Sequence, residues 1–213
     1  MKKKPTELFV FGFGGAFKEI SNLILKNELY NIVVVLENNI YEITKSSNFR
    51  TIQEDLFFNS YEYKEVSVVV LIGDINVRKK IVTLIKAKLQ FVVFPSLNFS
   101  KHLKSTSLNE GNLIMPGSVF TDEDINIGSF NYFNFNSFIA HDVQIGSFNT
   151  FSPYVKISGN CKILSNNFFG TGCILFPNIM VDNSNVGAGA VVKRKKLIKQ
   201  IVNIPKCIIY DKR

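Results

Sequence analysis

Phe133–Ile163 reads FNFNSFIAHDVQIGSFNTFSPYVKISGNCKI, and every sixth residue in it is large and apolar: Phe133, Ile139, Ile145, Phe151, Ile157 and Ile163. Carried outward in both directions, the same step meets Met115, Thr121 and Ile127 on one side. On the other it meets Phe169, Leu175, Val181 and Gly187, so eleven of the thirteen positions are large and apolar. Four residues after each step stand Val119, Ile125, Asn131, Ser137, Val143, Asn149, Val155, Cys161, Asn167, Cys173, Ile179, Asn185 and Val191. None of these is charged and none is larger than isoleucine. A step of six matches neither the helical nor the strand period. It is the period of a β-helix, in which each hexad supplies a short strand and a turn and three hexads close a triangular coil. The large residue points into the prism and the small one fits beside it near a corner. At one strand spacing per coil the column is roughly 20 Å tall.

Upstream of this block the pattern changes. Leu8–Phe13 is a short apolar run ending in glycines, as a buried parallel strand does. Lys18–Asn27 carries Ile20, Leu23 and Ile24 at helical spacing. Ile32–Leu36, Val66–Ile72 and Phe91–Phe94 read as further strands, the last stopped by Pro95. Between the last two, Arg78–Leu89 places Ile81, Val82, Leu84, Ile85 and Leu89 on a helix. Strands alternating with helices predict a small parallel sheet with helices packed on it. The chain thus divides into a Rossmann-like α/β unit over residues 1–95 and a β-helix unit over 96–213 with a basic C-terminal tail.

The 213 residues are 46% hydrophobic and 20% charged, which excludes a disordered chain. The net charge of +8 is unevenly placed. Met115–Val192 holds two bases against five acids, whereas Lys193–Arg213 holds eight bases against one acid. A localised cluster of this kind suits a phosphate-bearing small molecule as well as a polynucleotide, or is a solvated tail. Cys161, Cys173 and Cys207 lack CxxC spacing, so neither a disulfide framework nor a zinc knuckle is indicated. Cys161 and Cys173 fall in the small inward slot on different faces, where cysteine acts as a small hydrophobe. Lys2–Lys4 with Leu8–Phe17 mimics a secretion signal, but glycines interrupt the run and no small-x-small site follows. No stretch reaches the ~18 apolar residues that span a bilayer, and the expected location is the cytoplasm.

Three motifs in order, VFGFGG (Val10–Gly15), VVLIGDINVRKK (Val69–Lys80) and FIAHDVQIGSFNTFSP (Phe138–Pro153), resemble the sugar acyltransferases of the sialic-acid O-acetyltransferase type. That group includes bacterial N-acetyltransferases of nucleotide-linked 4-amino-sugars. The resemblance covers essentially the whole chain. It implies a left-handed β-helix, three subunits, acetyl-CoA held between neighbouring helices, and an N-terminal domain that binds the sugar nucleotide. The hand itself is not visible in the sequence.

The resemblance also implies site residues. His141 matches the family's general base, and imidazole suits the task because its unperturbed pKa lies near neutrality. Asp142 follows where the family has an acid that makes the histidine more basic, as a carboxylate does by stabilising imidazolium. Thr171 and Gly189 align with positions that touch acetyl-CoA, and Thr150 stands where some relatives have a donor-contacting histidine. Gly14, Gly15, Ala16, Glu37, Asn38 and Gly73 align with the sugar-nucleotide pocket. Each is also readable as an ordinary turn or surface residue. The family's histidine in the glycine turn is Ala16 here, and its GVPA-like tail reads Asn203-Ile204-Pro205-Lys206.

Counting 18 residues per coil puts Thr171 and Gly189 on one edge as vertical neighbours, and His141 on another. A neighbouring protomer would then complete the site, making a homotrimer a condition of activity. The basic run Lys193–Lys196 would meet the phosphates of CoA. GFGGAF lacks the third glycine of a dinucleotide fingerprint, which argues against an NAD site. A zinc carbonic anhydrase needs three histidines, and only His102 and His141 exist, so no metal is expected. His102 matches nothing in the family. The sequence therefore points to acetyl transfer from acetyl-CoA to the amino group of a nucleotide-linked sugar in glycan biosynthesis. O-acetylation of sialic acid or a related sugar, and a non-catalytic trimeric scaffold, are the alternatives; nucleic-acid binding is the least favoured.

Overall fold

The computed structural model describes residues 5–26, 29–36, 49–100, 103, 108–121, 125–193 and 197–198. Glu37, Asn38, His102, Cys207 and residues 194–196 lie outside them. The chain falls into two compact units, Met1–Pro95 and Ser96–Arg213.

In the first unit, β1 (Thr6–Phe11), β2 (Tyr30–Leu36), β3 (Arg50–Gln53), β4 (Val66–Val70) and β5 (Val92–Val93) form one parallel sheet in the order β3-β2-β1-β4-β5. The helices among the described residues are α1 (Gly15–Lys26), α2 (Glu54–Tyr61) and α3 (Ile75–Lys88). This is the expected Rossmann-like plan. Strands β1 and β4 are buried apolar runs because both faces of a parallel sheet are covered. β3 and α2 are additions to the sequence reading, which placed nothing between Leu36 and Val66. Their signal is tertiary: Phe57 and Tyr61 pack tilted and edge-on against Phe9, ring centroids 4.8 and 4.7 Å away, and no periodic apolar run announces them.

The strand order reverses beside β1, since the chain returns from β3 to lay β4 on the other side of β1. Loops leaving the carboxyl ends of adjacent strands at such a switch point border a ligand crevice. Here they are the turn Gly12–Gly14 and the turn Leu71–Asp74. Gly12 has φ 104°, and a methyl there would lie 2.6 Å from the Leu71 carbonyl oxygen, so the two turns come this close only with glycine.

The second unit is a parallel β-helix, left-handed as the resemblance implies. Its two-residue strands stack on three faces. The first face holds β6 (Leu97–Asn98), β7 (Leu113–Ile114), β9 (Tyr132–Phe133), β12 (Thr150–Phe151), β15 (Phe168–Phe169) and β18 (Asn185–Val186). The second holds β8 (Val119–Phe120), β10 (Phe138–Ile139), β13 (Lys156–Ile157), β16 (Ile174–Leu175) and β19 (Val191–Val192). The third holds β11 (Gln144–Ile145), β14 (Lys162–Ile163), β17 (Met180–Val181) and β20 (Leu197–Ile198). From β7 onward the second residue of each strand with a described side chain is buried, whereas in β6 it is the first, Leu97. Phe133, Phe151 and Phe169 stack face to face inside, at 4.6 and 4.9 Å.

The sixfold register holds from Ile127 to Val181 and slips by one at each end. Phe138 pairs with Val119, nineteen residues back, so Ile114 and Phe120 point inward rather than Met115 and Thr121. Phe168 pairs with Asn185, seventeen residues on, so Val186 and Val192 point inward rather than Gly187. The small slots shift with them, from Val119 to Ser118, from Asn185 to Ser184 and from Val191 to Ala190. Strand pairing fixes the coil and the corners absorb the odd residue, one longer before Ile127 and one shorter after Val181.

Each described corner turns on one left-handed residue, three after the inward one except at the shortened corner after Val181, where it is two after. These are Gly111, Gly117, Phe130, Asn136, Asp142, Phe148, Tyr154, Asn160, Asn166, Gly172, Asn178, Asn183 and Gly189, with φ between 43° and 77°. Asparagine, aspartate and glycine tolerate this conformation best, which accounts for the asparagine-rich composition of the repeat.

Candidate active site

His141 and Asp142 form the corner between β10 and β11, the edge joining the second face to the third. Asp142 is the left-handed corner residue, φ 57°, and its carboxylate turns back onto the ring of its neighbour. His141 Nδ1 and Asp142 Oδ2 are 2.7 Å apart, and the two side chains are 62% and 64% exposed. A carboxylate only accepts, so Nδ1 carries the hydrogen and the Nε2 lone pair is left for chemistry. Below His141 on this edge lie Gly159 and Pro177, and the carbonyl of His141 accepts the Asn160 N–H at 3.1 Å. Lys193 begins the same edge three coils down, with Nζ 5.4 Å from the Phe176 ring centroid.

Thr171 and Gly189 lie on the edge joining the first face to the second, and both are exposed. The shortened corner after Val181 changes their relation: Thr171 stacks on Ala188, and Gly189 on Gly172. They still touch, because the Gly189 N–H donates to the Thr171 carbonyl at 2.8 Å. A methyl on Gly172 or Gly189 would meet nothing within 4 Å, so this edge presents open backbone that an extended ligand can approach. Thr150 occupies an outward position on β12 yet is only 6% exposed, against 38% for Phe168 directly below it. The structure thus joins His141 with Asp142 and Thr171 with Gly189, leaves the two pairs on different edges of one chain, and keeps Thr150 under cover.

In the α/β unit, Gly14, Gly15 and Gly73 are exposed and nothing lies within 4 Å of where their side chains would be. Gly14 caps α1: its carbonyl accepts the Lys18 N–H at 3.2 Å, so the preceding amides of Gly15, Ala16 and Phe17 lack helical partners. Bare amides at a helix N-terminus suit a phosphate. Across the crevice, Asp74 caps α3 by accepting the Val77 N–H at 2.9 Å. Sequence reading did not assign a role to Arg78. It is buried and donates to the carbonyls of Ile72 at 2.7 Å and Gly73 at 3.2 Å, fixing the second turn.

Cys161 and Cys173 are fully buried in inward slots, as the repeat requires. Burial raises both thiols, Cys173 to about 12. Among the described residues no cluster of His, Cys, Asp or Glu could hold a metal, and no helix is long and apolar enough to cross a membrane.

A parallel α/β domain joined to a hexapeptide β-helix is the arrangement of the sugar N-acetyltransferases of the hexapeptide-repeat type. More particularly, residues 7–85 match the PglD N-terminal domain. The resemblance read from the motifs is therefore borne out. The acetyltransferase domain of PglB from Neisseria gonorrhoeae is 26% identical, with a TM-score of 0.77 over 88% of this chain and 91% of that one. WeeI from Acinetobacter baumannii is 24% identical, TM-score 0.71, over 90% and 94% of the two chains. A variant of GDP-perosamine N-acetyltransferase from Caulobacter crescentus, solved with CoA and GDP-perosamine, is 21% identical, TM-score 0.71, over 93% of each. The PglB domain has also been solved with acetyl-coenzyme A; that structure is 21% identical here, TM-score 0.72, over 92% and 95%. No curated protein matches the sequence.

Proposed function

We propose that the protein transfers the acetyl group of acetyl-CoA to the amino group of a nucleotide-linked amino-sugar, with His141 as general base. The observation that carries this reading is the exposed imidazole whose Nδ1 is held by Asp142 at 2.7 Å on a β-helix edge. His141 Nε2 takes a proton from the sugar amine as its nitrogen bonds to the thioester carbonyl carbon. The carbon–sulfur bond breaks, and the imidazolium returns the proton to the CoA sulfur, giving an N-acetyl-sugar and free thiol. Asp142 stabilises the imidazolium in between. Neither described cysteine can relay the acetyl group, since both are buried with raised thiols. Direct transfer to the amine needs neither of them.

The amides at the start of α1, with the turn held by Arg78, take the sugar nucleotide; Gly14, Gly15, Ala16 and Gly73 line this site, and Glu37 and Asn38 are assigned to it from the sequence. Thr171 and Gly189 take the acetyl donor. Their place on a different edge from His141 supports a homotrimer in which one protomer's base meets its neighbour's donor. Acetyl-CoA and nucleotide sugars are cytoplasmic, so the reaction belongs there, supplying glycan biosynthesis.

The test follows thiol release from acetyl-CoA with a panel of UDP- and GDP-linked 4-amino-sugars. Release with one or more of them supports the reading. Release with free sialic acid and none with the nucleotide sugars overturns it in favour of O-acetylation. The trimer is checked by mixing His141→Ala with a Gly189→Trp variant. Recovered activity in the mixture supports a shared site, and its absence from mixed oligomers contradicts one.

A further inference from the structure

We infer that Gly159 is a positioning residue for His141: its missing side chain is the recess in which the catalytic imidazole lies. The inference rests on His141 being the base. A methyl built on Gly159 would fall 2.7 Å from His141 Cε1, 2.8 Å from Nε2 and 3.3 Å from Nδ1, and these are the three heavy atoms nearest to it. Carbon atoms at van der Waals contact stand about 3.5–4.0 Å apart, so the ring and a methyl cannot share this space.

The backbone does not ask for glycine here. Gly159 stands at the second hexad position after the inward residue and outside the left-handed region that the corner residues occupy. The equivalent position elsewhere carries Ser129, Phe135, Ser147, Pro153, Ser165, Thr171, Pro177 and Ala188, all with side chains. Among the described hexads, only the coil directly under His141 has glycine at this position. The same glycine is buried, although its neighbour Asn160 is exposed, because the imidazole covers it.

The geometry also says which part of the ring depends on the recess. Asp142 holds the Nδ1 side, while the edge nearest Gly159 is Cε1–Nε2, the one that would receive the substrate proton. A methyl would therefore displace the working nitrogen and leave the corner and its strands intact. The ring is more than half exposed and free to swing outward, so the fold bears little of the cost.

The experiment compares wild type, Gly159→Ala, His141→Ala and the double variant, with acetyl-CoA and GDP-perosamine or a UDP-4-amino-sugar as probes. Misplacing a catalytic group by about 1 Å costs on the order of 10²-fold in rate, so kcat of Gly159→Ala is expected to fall by about that factor. Its KM values stay near wild type, and the His141 Cε1–H NMR resonance, assigned by its loss in His141→Ala, shifts. In the His141→Ala background the Gly159 substitution changes neither residual turnover nor Tm, since no ring remains to displace. Gly159→Ala with wild-type kcat, an unmoved resonance, or an equal loss in the His141→Ala background overturns the inference. Should Gly159→Ala unfold, recovery of Tm in the double variant supports the recess and a double variant equally unfolded contradicts it. A wild type silent on every acceptor refutes the proposed activity instead, while the resonance still decides the role of Gly159.

Discussion

Two edges of the same prism are built on the same hexad and do opposite things. On the edge joining the third face to the first, the small slots are Asn112, Asn131, Asn149 and Asn167, all buried. Each amide donates to the one above, Asn131 to Asn112 at 3.0 Å, Asn149 to Asn131 at 3.0 Å and Asn167 to Asn149 at 2.9 Å. The ladder ends at Ser184, whose N–H donates to Asn167 Oδ1 at 3.0 Å. Beside it the Ser129 N–H donates to Ser147 Oγ and the Ser147 N–H to Ser165 Oγ, at 2.9 and 3.0 Å. These bonds run along the column from coil to coil. On the His141 edge the slots are Val143, Cys161 and Ile179, which form no amide ladder and seal the interior; Cys161 Sγ donates to the Phe176 carbonyl at 3.3 Å. The polarity moves outward, to His141 and Asp142. One edge uses its polar side chains to hold coils together; the other pairs His141 with Asp142 at the surface.

The largest effect falls on the ladder. Asn149→Ala strands the Asn167 amide and the Leu164 carbonyl, which Asn149 now satisfies. At about 1–3 kcal/mol per buried group left without a partner, the variant is expected to lose about 3–5 kcal/mol, read by urea unfolding, with KM and kcat of the folded fraction unchanged. Equal losses from Asn149→Ala and from removal of the exposed His141 would erase the distinction between the edges.

A cysteine slot responds to pH instead, on the edge joining the first face to the second. Cys173 has its thiol raised from 9.0 to about 12 by burial. The unfolded chain therefore gives up this proton first, and its contribution to stability is full below pH 9 and is lost as pH rises toward 12. Unfolding followed from pH 7 to 11 should show this decline, and Cys173→Ala should flatten it.

Asp142→Asn keeps the corner and removes the charge. Because both partners are more than half exposed, the charged bond is at the weak end of its range, and kcat is expected to fall about tenfold with no change in Tm. The smallest effect is a gain. Tyr154 is exposed and held at φ 62°, where a large side chain is disfavoured by roughly 1–2 kcal/mol. Tyr154→Asn should therefore raise stability by about 1 kcal/mol, seen as a higher Tm.

The repeat was legible because burial repeats with the coil: Ile139, Ile145 and Phe151 point inward for the same reason. What the period could not show was where a corner gains or loses a residue, since Met115 and Thr121 continue the count while strand pairing selects Ile114 and Phe120. The same slip separates Thr171 from the expected Gly189 stack. His141 and Asp142 were legible through their motif, and the left-handed conformation that turns the carboxylate onto the ring was not, because aspartate is common outside that conformation and one residue's identity does not fix its φ. Gly159 drew no reading from the sequence, because its part depends on the ring that lies above it. α2 escaped because Phe57 and Tyr61 find their partners on β1, far away in sequence.

The central claim is that the outward edge performs the chemistry. Thiol release from acetyl-CoA with a 4-amino-sugar nucleotide, compared between wild type and His141→Ala at matched Tm, tests it most directly. Loss of a general base should lower kcat by about 10²–10⁴-fold. A His141→Ala protein that turns over within about threefold of wild type, well short of the smallest loss a general base implies, would contradict it.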